Sequence, residues 1–89
     1  MKTMKQWENS SNYSFTDFAK NGDEIDSEIY FYFLEVLPPI YHKNGVFQVS
    51  EPYSHIEGKP TYQTFQKIGS KYYYLGILTE NRAEQLAKL

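Results

Sequence analysis

Glu51, Tyr53, His55 and Glu57 bring carboxylates, a phenol and an imidazole into one short stretch of chain. A carboxylate and an imidazole four residues apart can meet. If a pocket forms around them, Glu51 and His55 could work as a general acid–base pair. His55 with two carboxylates is also a donor set that a divalent cation accepts. The spacing matches no established metal signature, so no metal and no cofactor is expected. The simpler reading is that Glu51 and His55 hydrogen-bond the backbone of a loop. Glu51, Tyr53 and His55 are kept as a candidate ligand or loop site, with His42 near in sequence. No residue is assigned a catalytic role.

A second constellation is Glu24, Glu28, Phe31 and Glu35, at i, i+4, i+7 and i+11. On a helix rising 1.5 Å per residue these form one column roughly 16 Å long. Three like charges with an aromatic among them make an acidic face suited to a basic partner. The alternative is a solvated face covered in part by a neighbouring element or a second subunit. A third constellation is Tyr72-Tyr73-Tyr74 with Tyr62 and Phe65, which could stack nucleic-acid bases. Only Lys67 and Lys71 accompany it, so core packing is the simpler reading. Direct nucleic-acid binding is not expected.

The elements that position these groups follow from punctuation and periodicity. Asp23 is the expected N-cap of a long helix, with Asp26 in its first turn. Ile25, Ile29, Tyr32, Phe33, Val36 and Leu37 share its core stripe. Pro38-Pro39 ends it. Before it, Ser14 and Asp17 predict a short helix closed at Asn21-Gly22, with Phe15 and Phe18 turned inward. Asn44-Gly45 predicts a turn, with Ile40-Tyr41 paired to a strand over residues 46–50. Residues 51–60 read as one substantial loop. Thr61 to Ile68, the turn Gly69-Ser70 and Lys71 to Thr79 read as a hairpin. Both faces of the last strand are apolar, which predicts a central, most buried strand. Thr79 caps a final helix, with Ala83, Leu86, Ala87 and Leu89 inward.

The expected fold is therefore α+β: a short helix, a long helix, a three-stranded antiparallel meander and a C-terminal helix. The long helix lies across one sheet face. Residues 1–13 are expected as an N-terminal arm docked through Trp7, and residues 14–89 as a single domain. With 89 residues, stability should be modest. Nine Tyr, six Phe and one Trp make the core aromatic. The chain has no cysteine, which excludes disulfides, thiolate metal sites and thiol catalysis. No apolar run is long enough for a membrane span, and a soluble, cytoplasmic protein is expected.

The net charge of -2 conceals an asymmetry. Between residues 8 and 57, nine acids face only Lys20 and Lys43; beyond residue 57, cations outnumber acids. The halves are expected to neutralise each other in the fold, and the scattered cations do not form a phosphate-tracking stripe.

The segments Phe33-Leu-Glu-Val-Leu-Pro-Pro39, Gly45 to Pro52, His55 and Tyr62 to Tyr74 resemble small uncharacterised proteins of bacterial and mobile-element genomes. The resemblance covers residues 28–79. It implies a prokaryotic or phage accessory protein and assigns no site. Together the features lead to an expectation of a small acidic, non-enzymatic interaction or regulatory protein. Its partner would be basic and handle nucleic acid, as a host-defence protein opposed by a mobile element would. The alternative is a ligand-binding module or enzyme built on the Glu51–His55 loop and its tyrosines. A homodimer is compatible with either.

Overall fold

The computed structural model describes residues 1–11, 14–36, 39–49 and 54–88. In chain order the elements are α1 (Met4–Asn9), α2 (Phe15–Phe18), β1 (Asp23–Ile25), α3 (Ser27–Val36), β2 (Pro39–Lys43), β3 (Val46–Val49), β4 (Ser54–Ile56), β5 (Lys59–Ile68), β6 (Lys71–Thr79) and α4 (Glu80–Ala87). The class is α+β, with one antiparallel sheet of order β1-β6-β5-β3-β2 and β4 paired to the start of β5. The predicted meander is its middle, β3-β5-β6. The sheet is extended by β2 at one edge and β1 at the other.

Two hairpins form where turn chemistry predicts them. Asn44 and Gly45 both take positive φ, at 51° and 82°, as the two-residue turn between β2 and β3 requires. Gly45 has a further constraint. A Cβ there would lie 2.8 Å from the Lys67 carbonyl oxygen. The Gly69-Ser70 turn joins β5 and β6 in register from Ile68↔Lys71 outward. That register slips between Thr64 and Phe65, which pair with Gly76 and Tyr74 and leave Leu75 as an extra residue. Gly76 absorbs the bulge at φ 82°. The expected loop over residues 51–60 holds a third hairpin: Ser54–Ile56 pairs with residues 59–61 around Glu57 and Gly58. Leu37, Leu89 and the residues 50–53 lie outside the described residues.

Helices cover both sheet faces. Adjacent β3 residues Val46 and Phe47 point to opposite sides and enter different clusters. Phe47 joins Phe15, Ile25, Ile29, Tyr30, Val49, Phe65 and Tyr74. Val46 packs with Ala83 and Ala87 of α4. All four β3 residues are buried. On β6 only Tyr74 is, so the expectation of a most buried final strand is corrected. The reason is flanking: β3 is paired along its length by β2 and β5, whereas β1 covers only Tyr72 to Tyr74 of β6. Gln48 of β3 is wholly buried, and its amide nitrogen donates to Thr64 Oγ1 and to the Leu78 and Thr79 carbonyls. This ties β3 to the β6–α4 junction. There Thr79 caps α4 as predicted, accepting from Arg82 N–H at 3.4 Å. Asn44 Nδ2 donates to Ala87 O at the other end of α4.

The long helix starts later than the sequence suggests. Asp23 to Ile25 form β1, paired with Tyr74 to Tyr72 of β6. Asp23 is therefore not the N-cap. Its carboxylate accepts from Lys20 N–H at 2.9 Å and closes the turn ahead of β1. Asp26 takes the capping role, with Oδ1 accepting from Ile29 N–H at 2.9 Å. Its Oδ2 accepts from Met4 N–H at 3.0 Å, and its own N–H donates to Lys2 O. One carboxylate thus starts α3 and anchors the N-terminus. Asp26→Ala should cost about 1–2 kcal/mol, the cost of a lost cap. Asp26→Asn, which keeps an acceptor, should recover part of it; equal losses in denaturant titrations would rule out the capping role.

Residues 1–11 carry the helix α1. Thr3 and Gln6 form a reciprocal capping box on α1, a Thr-x-x-Gln pattern legible in the sequence. Trp7 docks as expected, 5.1 Å edge-on to Phe15 and 5.5 Å from Phe18. Ser14 flanks α2 without a side-chain bond to its backbone, and Asn21-Gly22 serves the turn into β1 rather than a helix end.

Candidate functional site

The helix phase decides which groups α3 shows to solvent. Ile29 and Tyr30 are buried, and Phe33 and Leu34 are half-buried against the same cluster. The expected stripe is corrected accordingly. Tyr32 is 44% and Val36 54% exposed, while Ile25 is buried as a strand residue. Six consecutive apolar residues, Ile29 to Leu34, allow several phases. The sheet selects the one that places Tyr30 on Phe47 and Tyr72, at 5.0 and 4.8 Å.

Opposite that buried stripe, α3 exposes Glu28, Phe31, Tyr32, Glu35 and Val36. At 100° per residue, Glu28 and Glu35 run down the middle of the outer face. Phe31 forms one shoulder; Tyr32 and Val36 form the other. Glu24 is not part of it. It lies in β1 opposite Tyr73, half-buried, so the predicted four-residue column becomes three residues on the helix. Phe31 is 42% exposed, with its inner edge resting on Tyr30 and Tyr72 at 5.2 and 5.7 Å. Lys67 reaches over Tyr72, 5.7 Å from the ring centre, and borders the Phe31 shoulder with a cation. α3 itself carries no Lys or Arg.

The lysines with visible contacts do not pair with carboxylates. Lys20 Nζ donates to Thr16 O, and Lys2 and Lys67 lie over Phe18 and Tyr72. The acidic residues of α3 therefore keep their charge facing outward.

Of the predicted loop site Glu51, Tyr53 and His55, only His55 is among the described residues. His55 stands exposed on β4 opposite Pro60. His42 stands exposed on β2, edge-on to Phe47 at 6.0 Å. The two imidazoles serve different strands. Glu51 and Tyr53 lie outside the described residues. Among the described residues no cluster of three His, Asp or Glu side chains could hold a metal ion.

The tyrosine platform is not open either. Phe65 and Tyr74 are core residues under Phe15, 6.0 and 5.0 Å from its ring, and Tyr72 is half-buried below Tyr30 and Phe31. Phe65, Tyr72 and Tyr74 therefore pack in or against the sheet core, while Tyr62 and Tyr73 are half-buried outside it. The clefts between elements are shallow and mixed in lining. One is bordered by Lys2, Phe18, Asp23 and Glu24, another by Lys59, Tyr62, Thr79 and Asn81.

The fold displaces the titration of Tyr30. Burial, then the neighbouring Tyr72, push its phenol up to about 12. It donates to Gly45 O at 2.7 Å, a carbonyl that also accepts from Lys67 N–H. This clamps α3 to the β2–β3 turn and to β5. It fixes the helix that carries the outer face. No described helix is long and apolar enough to cross a membrane. Comparison with protein families, curated proteins and solved structures finds no match to this chain.

Proposed function

We propose that this chain is a small non-enzymatic interaction protein that presents the outer face of α3 to a basic protein in the cytoplasm. The observation that carries the reading is the company of exposed side chains on α3. Phe31, Tyr32 and Val36 remain 42%, 44% and 54% exposed beside Glu28 and Glu35, on a helix with no cation. Other exposed large apolar residues, such as Ile56 and Ile68, lie on separate strands. Large apolar side chains left exposed on both shoulders of a carboxylate ridge support a docking surface. Carboxylates flanking aromatic anchors suit a surface rich in Lys and Arg, of the kind that proteins handling nucleic acid carry. A host-defence nuclease or a regulator opposed by a mobile element is the partner class proposed.

Affinity capture from the native host, with mass spectrometry, would identify the partner. The test is then quantitative. Glu28→Gln with Glu35→Gln should slow association and flatten its salt dependence, because rim charges steer encounter. Folding should be unaffected, since both side chains are exposed. Phe31→Ala should speed dissociation by an amount worth about 2 kcal/mol, as expected of an aromatic hot spot. An identified partner that binds the double Gln variant with unchanged on-rate and salt dependence would sink the proposal.

A further inference from the structure

The spacing of the α3 face says what it excludes. If two copies met through α3 about a two-fold axis, the helices would run antiparallel and residues i and j would face each other with i + j constant. A two-fold axis between positions 31 and 32 brings Phe31 beside Phe31 of the second copy on one shoulder and Tyr32 beside its Tyr32 on the other. The same axis sets Glu28 against Glu35 of the second copy, and Glu35 against its Glu28. Bringing the aromatic shoulders together in this way therefore also brings two like-charge pairs together along the midline. All four side chains lie within about 100° of the outer face, so one packing arrangement brings both kinds of pair together. Each is exposed in the single chain.

We propose that Glu28 and Glu35 keep the aromatic face of α3 free by preventing a second copy of this chain from closing on it. This deepens the partner reading above and rests on it: a face that binds a basic protein must not be consumed by self-association. Specificity of this kind combines attraction to the right partner with repulsion of the wrong one. The pairing arithmetic makes a sharp expectation. Glu35→Lys alone turns both repulsive pairs into attractive ones, because the introduced ammonium meets Glu28 on each side of the axis. Glu28→Lys alone does the same. The combined Glu28→Lys/Glu35→Lys variant restores two like-charge pairs.

The test is sedimentation equilibrium of the purified chain and these variants over one concentration range, with circular dichroism as a check on folding. Wild type should be monomeric. Each single reversal should self-associate at least about tenfold more tightly, and added salt should weaken it. The double reversal should return to monomer. Phe31→Ser placed on the Glu35→Lys background should abolish the dimer, which ties association to the aromatic shoulder. Monomeric single reversals would overturn the proposal. So would a double reversal that dimerises as well as the singles, since that would reflect net charge alone. A dimeric wild type would overturn it too. None of these arms needs the basic partner. Monomeric single reversals beside an intact, salt-sensitive partner interaction would reject this inference and leave the docking face standing.

Discussion

Phe65→Ala should cost about 3–5 kcal/mol, the range for truncating a buried phenylalanine. The ring has no exposed surface and lies at the centre of the aromatic cluster. It stacks on Phe47 at 4.9 Å and 11°, and on Phe33 at 5.0 Å and 26°. Tyr74 and Phe15 close the remaining sides at 5.2 and 6.0 Å. Because sheet and helix clamp the site on both sides, it cannot easily collapse around an alanine. For a domain of this size such a loss lowers the melting temperature by roughly 15 °C or more. Val36→Ala is the matched control. At 54% exposure it should change stability by no more than about 0.5 kcal/mol. Thermal melts of the two variants check the helix phase directly. A Val36 effect as large as that of Phe65 would mean that α3 packs by the stripe the sequence suggests.

That contrast shows where local pattern carries information. Asn44-Gly45 and Gly69-Ser70 demand turn conformations that few other residues adopt, so both hairpins are legible from residue types alone. Thr79 is legible as a cap for the same reason, since its hydroxyl has one obvious use at the end of an apolar strand. The start of α3 is ambiguous because Asp23 and Asp26 offer two caps three residues apart. A long-range event decides between them. Gly22 N–H donates to Tyr74 O and Lys2 N–H to Glu24 O, so residues 23–25 are claimed by the sheet and only Asp26 remains to cap. Nothing near Asp23 announces that.

The functional face inherits both kinds of information. Glu28, Phe31 and Glu35 share a face wherever the helix begins, because their spacing is internal to it. Glu24 dropped out because its membership depended on the start. Tyr32 and Val36 were missed as surface residues because an almost continuous apolar run has no polar side to reveal its phase. What identified them is their exposure once Tyr30 was drawn inward. The Thr3–Gln6 capping box was readable, and it starts the helix that docks through Trp7.

Raising the pH should reveal how much of that arrangement depends on Tyr30. Its phenol titrates near 12 in the folded chain against an ordinary value near 10. The folded state therefore holds the proton more tightly than the unfolded state does. The associated stability is fully present below pH 10, falls as pH rises above it, and is gone once the folded group ionises near 12. About two pH units at 1.36 kcal/mol each amount to roughly 2–3 kcal/mol. Tyr30→Phe should remove this component. It costs about 1 kcal/mol at neutral pH for the lost hydrogen bond, a modest loss because Gly45 O keeps Lys67 N–H as a donor. The wild-type curve should then fall by roughly 2–3 kcal/mol relative to the variant's and cross it between pH 10 and 12, because phenylalanine has no buried group to ionise. Parallel curves across that range would mean that Tyr30 is not held neutral against Gly45, and that another contact fixes α3 to the β2–β3 turn.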